Sequence, residues 1–203
     1  MTDQSYRSKY ITSIDAATIA GCNPYMTLAQ MFYYKANGYP DLKGNPHVDR
    51  GIRMEPIILR KCLPNATPNK TTFFSTSGIL AATPDAFLEN DVIEVKCPYS
   101  IDKFKANCEH YLWQCVHHSI VINKRCILFA ANEALDSFAV RYPTTYEMAR
   151  LEYLRRAELV HECIMKKTFP FGVPWPKIDG LVEDFKYTLT DPLAFPVFVE
   201  SRL

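Results

Sequence analysis

Residues 83–96, TPDAFLENDVIEVK, join an acidic residue that follows a proline to an apolar run ending in Glu94, Val95 and Lys96. The acidic residue is Asp85, nine positions before Glu94. Side chains of a β-strand alternate between two faces, so Glu94 and Lys96 are expected on one face and Val95 on the other. The stretch therefore predicts a strand that presents a carboxylate beside a lysine, with a second carboxylate upstream.

This combination of side chains is what metal-assisted attack on a phosphodiester requires. Two carboxylates can hold Mg2+ while leaving water on the ion, which generates hydroxide and balances the phosphate charge. A neighbouring lysine can orient or activate the nucleophile. In the alternative interpretation, Glu94 and Lys96 form an ion pair on a surface hairpin and Asp85 is a turn residue. The spacing, Pro84 and the apolar run favour a catalytic site, and the whole run resembles the PD-(D/E)xK nuclease signature.

The length and composition of the chain are those of one domain. Its 203 residues, 48% of them hydrophobic, suffice for a single core, so we expect one nuclease domain over residues 1–203. Residues 169–203 form an extension rich in proline and aromatic residues, which we expect to wrap the core or to contact another subunit. Seven cysteines without a Cys-x-x-Cys pair predict reduced, mostly buried thiols rather than a disulfide framework or a metal cluster.

The charge of the chain gives little indication of its partner. Twenty-three basic residues against 22 acidic ones leave a net charge of +1, so any DNA affinity must come from local groups and from metal. No apolar stretch is long enough to span a bilayer, so we expect no membrane association and a cytoplasmic location, in the host cell if the chain is phage-encoded. Candidate phosphate contacts, each more often a solvated helix face, are Arg7 with Lys9, Arg50 with Arg53, Arg60 with Lys61, and Lys103 with Lys105.

The order of helical and extended patterns predicts an α/β fold with a central mixed β-sheet flanked by helices. One helix is expected to start at a cap on Asp49 and to be kinked or split by Pro56. A capping box at Thr144 opens the last helix. Predicted helices cover 14–20, 27–37, 49–62, 100–120 and 144–167, and predicted strands cover 71–75, 79–88, 92–96, 125–131 and 137–142.

Two polar residues outside the central stretch are further candidates for the site. Glu55 lies in the helix before the strands, where it could approach a metal as a third carboxylate or through a water molecule. Alone it would be interpreted as a surface glutamate. Gln114 lies in the helix after the strand and could hydrogen-bond near the carboxylates or to a nucleotide, although a solvated helix face explains it equally well.

Several motifs in a defined order give the chain a family resemblance. They are Arg50-Gly51 with Glu55, residues 82–85, residues 94–99 with Asp102 and Phe104, and Tyr111 with Gln114. Over roughly residues 7–171 this order resembles the bacteriophage lambda exonuclease family, also called YqaJ-type viral recombinases. The string Glu-x-Lys-Cys-Pro at residues 94–98 is the most specific part.

The resemblance implies a restriction-endonuclease-like PD-(D/E)xK core and an Mg2+-dependent exonuclease, with Mn2+ able to replace Mg2+. Such an enzyme digests one strand of linear double-stranded DNA from its 5′ end. It leaves a 3′ single-stranded overhang for a single-strand annealing protein. The family likeness also implies a homotrimer ring through which the DNA is threaded.

The same resemblance implies roles for individual residues around the strand. Asp85 and Glu94 would be metal ligands, together with the backbone carbonyl of Val95. Lys96 would position or activate the attacking water. Glu55 would support a second metal position.

Outside this centre, the resemblance places Gln114 in the outer shell of the site and assigns the 5′-phosphate of the DNA to Arg7. The family has a tryptophan upstream of that arginine, but Asp3 stands at the corresponding position here. Its serine after the Ile-Thr pair is offset, because Ser13 lies one place early. Phosphate binding by Arg7 and Ser13 is therefore expected on less complete motifs than metal binding.

Two other functions fit parts of the same pattern. A PD-(D/E)xK endonuclease would share the catalytic residues and lack an anchor for a strand end. A non-catalytic DNA-binding module could use the same fold, although the intact Asp85, Glu94 and Lys96 argue against it. A nuclease with an iron-sulfur cluster is disfavoured by the cysteine spacing.

Overall fold

The structure is a computed structural model that describes residues 5–142, 147–169 and 174–178. Short 3₁₀ helices lie at Ser5–Ser8 and Ser13–Asp15. The α-helices in these ranges are α1 (Ala16–Ile19), α2 (Leu28–Asn37), α3 (Pro46–Cys62), α4 (Ile101–Asn107), α5 (Glu109–Ile122) and α6 (Glu147–Lys166). The strands are β1 (Ile11–Thr12), β2 (Thr67–Pro68), β3 (Phe73–Phe74), β4 (Leu80–Ala82), β5 (Ala86–Leu88), β6 (Asp91–Lys96), β7 (Arg125–Ala131) and β8 (Ser137–Tyr142). No helix in the described ranges is long and apolar enough to cross a bilayer.

The strands form two mixed sheets, which confirms the predicted α/β class. The larger sheet has the order β2-β5-β6-β7-β8, and the smaller one has the order β1-β4-β3. In the larger sheet only β6 and β7 are parallel, and they pair from Asp91 opposite Arg125 to Lys96 opposite Ala130. The connection between these two parallel strands contains α4 and α5, as a parallel crossover requires.

Helices cover both faces of β6, so its alternating side chains enter two different clusters. Ile93 and Val95 belong to the cluster that includes Ile58 of α3. Val92 belongs to the cluster on the opposite face, with the buried residues of α5. Glu94 has the parity of Val92, and it therefore faces α5 as the predicted alternation requires.

The predicted strand 79–88 is two strands in different sheets, and this is a correction. β4 ends at Ala82 and pairs with β1 and β3, whereas β5 begins at Ala86 and pairs with β2 and β6. Pro84 lies between them, and it has no N–H with which to continue a strand ladder. Asp85 follows the break and donates its backbone N–H to the carbonyl of Ile93, at 3.1 Å. The chain thereby changes sheets at the residue that carries the first predicted carboxylate.

Helix α3 differs from its prediction at its start and at its proline. The cap is Asn45, not Asp49, because the Asn45 side chain accepts from the backbone N–H of His47 at 3.0 Å and Pro46 occupies the first turn. Pro56 does not split the helix, which continues as one element from Pro46 to Cys62. Its side chain is exposed, so the carbonyl that loses its N–H partner lies on the solvent side, where water can satisfy it.

The helix predicted at 100–120 is also two helices, α4 and α5, which meet at Cys108. Ser100 caps the first, accepting from the backbone N–H of Lys103 at 3.3 Å. The second ends at Asn123, whose φ of 55° is in the left-handed region that asparagine tolerates. The predicted capping box at Thr144 lies outside the described residues.

Residues 174–178, the described part of the extension, pack against α1 and α6. The indole N–H of Trp175 donates to the carbonyl of Ile19 at 3.0 Å, and Arg156 of α6 donates to the carbonyl of Pro176 at 2.6 Å. Gly21 has a φ of +77°, and a Cβ there would lie 2.6 Å from the Pro176 oxygen. Glycine is therefore required at this close approach. Residues 174–178 lie on the core, one of the two positions expected for the extension.

Candidate active site

The two central carboxylates meet because Asp85 stands where β5 and β6 separate. β5 begins at Ala86, so Val95 has no backbone partner on that side of β6. Its N–H donates instead to Oδ2 of Asp85, at 2.7 Å. This hydrogen bond joins the Asp85 carboxylate to the end of β6, the strand that carries Glu94 and Lys96. The tertiary structure thus brings together the three residues predicted as the catalytic cluster.

Glu94 is buried and held by one group on each carboxylate oxygen. Lys96, its neighbour on the same face of β6, donates from Nζ to Oε1. His118 of α5 donates from Nε2 to Oε2, at 2.8 Å. The sequence pattern did not single out His118, although it follows Gln114 by four residues and so lies on the same side of that helix. That spacing was the available signal.

The carboxylates differ in acidity because their neighbours differ. Burial raises the pKa of Asp85 well above its ordinary value, and the charge of Glu94 raises it further. Burial also opposes ionisation of Glu94, but the Lys96 ammonium and the His118 imidazole lower its pKa to about 2. The pKa of Glu55 is raised by burial and by Glu94. Negative charge is therefore crowded at this point, which an added cation would relieve.

Lys96 is a cation in this environment. Burial lowers the tendency of its ammonium to form, but the carboxylates of Glu94 and Asp85 outweigh burial and raise its pKa. Its Nζ also lies 5.2 Å from the centre of the Tyr111 ring. A lysine held in this way can donate hydrogen bonds and balance negative charge, but it has no free lone pair with which to accept a proton.

A cavity of about 490 Å3 contains this cluster. Glu55 lines it, and so do Asp85, Glu94, Val95 and Lys96, so these five predicted residues lie around one space. Its other lining residues are His47, Val48, Arg50, Gly51, Cys97, Pro98, Tyr99, Phe104 and Tyr111. We refer to this space as the acidic cavity.

The residues of the acidic cavity suit a hard divalent cation that keeps part of its water. Across the described ranges, no group of three or more His, Cys, Asp or Glu side chains is arranged to hold a metal ion. Mg2+ rarely uses such all-protein cages, and one or two carboxylates with water usually suffice. Asp85 and Glu94 supply carboxylate oxygens that can act as metal ligands. The crowding of their negative charge favours binding of a cation.

Arg7 and Gln114 lie in a neighbouring cavity of about 930 Å3, not in the acidic one. The two cavities share Val48 and Tyr111 in their linings. Nε of Arg7 and Oε1 of Gln114 are buried, and neither atom has a hydrogen-bond partner within the described part of the chain. Ser13 is not among the residues that line this second cavity, but its neighbour Ile14 in the same 3₁₀ helix is.

A buried ionic network holds the segment that carries Arg7. Nζ of Lys35 donates to the carbonyls of Arg7 and Tyr10, at 2.8 and 2.7 Å, and to Oδ2 of Asp15, at 2.6 Å. Tyr39 donates to the other oxygen of Asp15, at 2.5 Å. Asp15 and Lys35 are both buried. The sequence pattern did not indicate this network, because neither residue belongs to a recognisable motif.

The comparison with known families agrees with this geometry. A family model described as the YqaJ-like viral recombinase domain matches residues 4–125, more than half of the chain. The chain belongs to this family. The resemblance predicted from the motif order is thereby confirmed, and the matched region contains Arg7, Glu55, Asp85, Glu94 and Gln114. No curated protein matches the sequence at a significant level.

Several of the solved structures similar to this YqaJ-like domain are exonucleases. One is an alkaline exonuclease, LHK-Exo, from Laribacter hongkongensis, with 16% identity, a TM-score of 0.63, and coverage of 80% of this chain and 91% of that one. LHK-Exo in complex with dAMP gives 15% identity, a TM-score of 0.58, and coverage of 94% and 96%. A phage-related exonuclease from Haemophilus somnus 129PT gives 11% identity, a TM-score of 0.59, and coverage of 78% and 96%. At these identities the likeness shows a shared fold.

Proposed function

We propose that the chain is a metal-dependent 5′-to-3′ exonuclease of linear double-stranded DNA, which leaves 3′ single-stranded overhangs. The observation that carries the proposal is the meeting of Asp85, Glu94 and Lys96 in one cavity at the end of β6. The shared fold of two exonucleases and membership of the YqaJ-like family support the same chemistry.

Four groups of the acidic cavity would hold the metal. Asp85, Glu94 and the carbonyl of Val95 would bind one Mg2+, and Glu55 would support a second position. Bound Mg2+ supplies a Lewis acid that makes hydroxide available and balances the charge on the phosphate. Mn2+ is expected to replace it, since both ions prefer oxygen ligands.

Lys96 would orient the attacking water and balance charge rather than remove a proton. Its pKa is raised by Glu94 and Asp85, so the side chain stays protonated at neutral pH. A general base needs a pKa close to the working pH, which Lys96 lacks. His118 would hold Glu94 in place through its hydrogen bond to Oε2, at 2.8 Å.

The second cavity would receive the 5′ end of the digested strand. Arg7 would bind the terminal phosphate, aided by Ser13, and Gln114 would contact the nucleotide near the shared boundary with the acidic cavity. The unpartnered Arg7 Nε and Gln114 Oε1 support this assignment. A similar structure was solved in complex with dAMP, and a nucleotide in that protein is consistent with nucleotide binding here.

Membership of the family supports a proposal for the biological setting. We propose that the 3′ overhang is passed to a single-strand annealing protein during recombination and that three copies form a ring around the DNA. We also propose that the activity takes place in the cytoplasm, that of the host cell if the chain is phage-encoded.

Digestion of end-labelled linear duplex, with and without Mg2+, tests the function, with covalently closed circular duplex as the control. We expect Mg2+-dependent shortening of the linear DNA from its 5′ ends and an intact circle. Replacing Asp85 or Glu94 by alanine should lower the rate on the order of a thousandfold, because phosphoryl transfer relies on metal charge and positioning. Cleavage of the circle would indicate an endonuclease instead. Binding without cleavage of either DNA would indicate a non-catalytic module.

Arg7 gives a separate test of end recognition. Arg7→Ala should slow digestion of 5′-phosphorylated ends by about tenfold while 5′-hydroxyl ends change little, because a charged hydrogen bond to the phosphate is lost. Lys9→Ala is the matched control, since Lys9 is an exposed cation in the same segment. An equal loss on both kinds of end would make Arg7 a general electrostatic or structural residue.

A further inference from the structure

Arg50 is a buried cation in the acidic cavity, and no carboxylate in the described part of the chain pairs with it. It is only 7% exposed and lines the same cavity as Asp85 and Glu94. Its Nη2 donates to the carbonyl of Cys97, at 2.7 Å. Its Nε and Nη1 are buried and have no hydrogen-bond partner among the described residues. Arg53, three residues further along α3, is instead exposed and paired with Glu133.

A ring contact and one hydrogen bond hold the guanidinium of Arg50 in this position. Its Cζ lies 3.2 Å from the centre of the Tyr99 ring, which stacks on it, and the ring of His47 meets Tyr99 edge-on at 5.4 Å. A guanidinium cannot lose its proton in a protein, so burying it without acceptors is unfavourable. Stacking and one carbonyl compensate only in part. Such an arrangement is expected where a ligand supplies the missing acceptors.

We propose that Arg50 binds a non-bridging oxygen of a DNA phosphate at or beside the scissile position, which rests on the proposed nuclease function. The planar donor groups of arginine match the oxygens of a phosphate diester. Glu55, Asp85 and Glu94 of the acidic cavity repel that phosphate, and the cation Lys96 is already paired with Glu94. Arg50 supplies a fixed positive charge in the same space and makes the cavity selective for a phosphate at one register.

A supporting role for Arg50 is the competing explanation. Its hydrogen bond to Cys97 could hold the chain that follows β6 and thereby place Lys96. Loss of activity in an Arg50 variant would fit both roles. The two are separated by asking whether the effect of the arginine depends on the charge of one particular phosphate.

The test measures binding of labelled 5′-phosphorylated duplex in Ca2+ by fluorescence anisotropy. One duplex has only phosphates, and each of three others carries a single neutral methylphosphonate at the first, second or third linkage from the 5′ end. These four duplexes are bound to wild type, Arg50→Ala and Arg53→Ala. Arg53→Ala is the matched control, because it removes an exposed cation from the same helix. Thermal unfolding of each variant is recorded as well.

For the wild type, neutralising one of the three linkages should weaken binding by about tenfold, the effect of one charged hydrogen bond. Arg50→Ala should bind the all-phosphate duplex about tenfold more weakly and lose its sensitivity at that linkage alone. Arg53→Ala should keep the wild-type pattern. If Arg50→Ala remains as sensitive as wild type at every linkage, the arginine is a structural support and the proposal is overturned. A wild type that neither binds nor digests linear duplex is a different result, which overturns the proposed function itself.

Discussion

Asp85 and Glu94 show how two carboxylates of one cavity acquire opposite properties at the scale of single residues. Glu94 accepts hydrogen bonds from a lysine and a histidine, so its carboxylate stays ionised although it is buried. Among the described residues, the Asp85 carboxylate accepts a hydrogen bond from the N–H of Val95 alone, and its pKa is raised by burial and by Glu94. Without metal, ionisation of Asp85 in the folded protein is therefore unfavourable and lowers the free energy of unfolding. The same crowding is what favours cation binding.

Asp85→Asn should stabilise the metal-free protein at pH 7.5. Because the folded-state pKa of Asp85 is raised, the unfolded state ionises at lower pH than the folded state, and stability falls once the pH exceeds the unfolded-state pKa. The melting temperature should therefore rise, by roughly 2–4 °C for each kcal/mol of stability gained. The gain should shrink as the pH falls toward the ordinary value of 3.8.

Thermal unfolding in EDTA and in Mg2+ checks this expectation. Added Mg2+ should raise the melting temperature of the wild type and have little effect on Asp85→Asn. Glu89→Gln, which neutralises an exposed acid in the turn of the same hairpin, is the control. A lower melting temperature for Asp85→Asn in EDTA would contradict the prediction. It would show that the Asp85 carboxylate does not destabilise the metal-free protein.

His118 should determine how tightly the site holds metal. His118→Ala removes the hydrogen bond that orients Glu94, and loss of such a group typically weakens metal binding by about 10- to 100-fold. His118→Gln can place an amide N–H near the position of Nε2 and should recover part of the affinity. Calorimetric titration with Mn2+ measures both. Wild-type affinity in His118→Ala would remove the histidine from the site.

At the scale of elements, the site depends on where strands end and on what joins neighbouring elements. The break at Pro84 moves the chain from one sheet to the other, and Asp85 stands at the crossing. The Asp15–Lys35 pair joins the segment of Arg7 to α2 in a similar way. The strands on either side of Pro84 and the segment that carries Arg7 are short. Their positions therefore depend on a few buried polar contacts rather than on the secondary-structure propensity of their residues.

Lys35→Met should destabilise the protein by roughly 3–5 kcal/mol at pH 7, because it leaves Asp15 buried without its partner. Burial opposes ionisation of Asp15, but Lys35 lowers its pKa below the ordinary 3.8. The wild-type contribution is therefore present above the unfolded-state pKa and is lost as the pH falls through the lower folded-state value. In the variant Asp15 can protonate, so its deficit should narrow toward acid pH.

Urea unfolding at pH 7 and at pH 4 measures this difference. Lys61→Met, which changes an exposed lysine near the end of α3, should stay within about 0.5 kcal/mol of the wild type. A deficit for Lys35→Met that is equal at both pH values would mean that the lost stability comes from the carbonyl contacts alone.

At the scale of the whole molecule, the near-neutral charge of +1 provides no general attraction to DNA. Under the proposed function, local groups such as Arg7, Arg50 and Lys96 would supply the contacts, and a closed ring would keep the enzyme on its substrate by topology. Apolar sequence in the extension offers surface for subunit contacts. Residues 174–178 pack on the core, so a truncation that tests the proposed role of the extension in subunit contacts should leave them in place.

Light scattering at micromolar concentration should show a trimer for the full chain and a smaller species for a chain that ends at Ile178. That end point keeps the contacts of Trp175 and Pro176 with the core, so the melting temperature should change little. An unchanged trimer would remove residues 179–203 from the interface. A monodisperse monomer that digests long DNA without dissociating would exclude the ring.

The sequence by itself determined the fold class, the family and the pairing of Glu94 with Lys96. Strand alternation and motif order are local properties, so they can be read along the chain. The tertiary structure decided that Arg50 is buried and Arg53 exposed, that His118 holds Glu94, and that Arg7 and Gln114 occupy a cavity beside the acidic one. These facts depend on which face of each helix meets the sheets and on contacts between distant segments. Burial and partnership arise only from that packing, because no residue type or spacing specifies them alone.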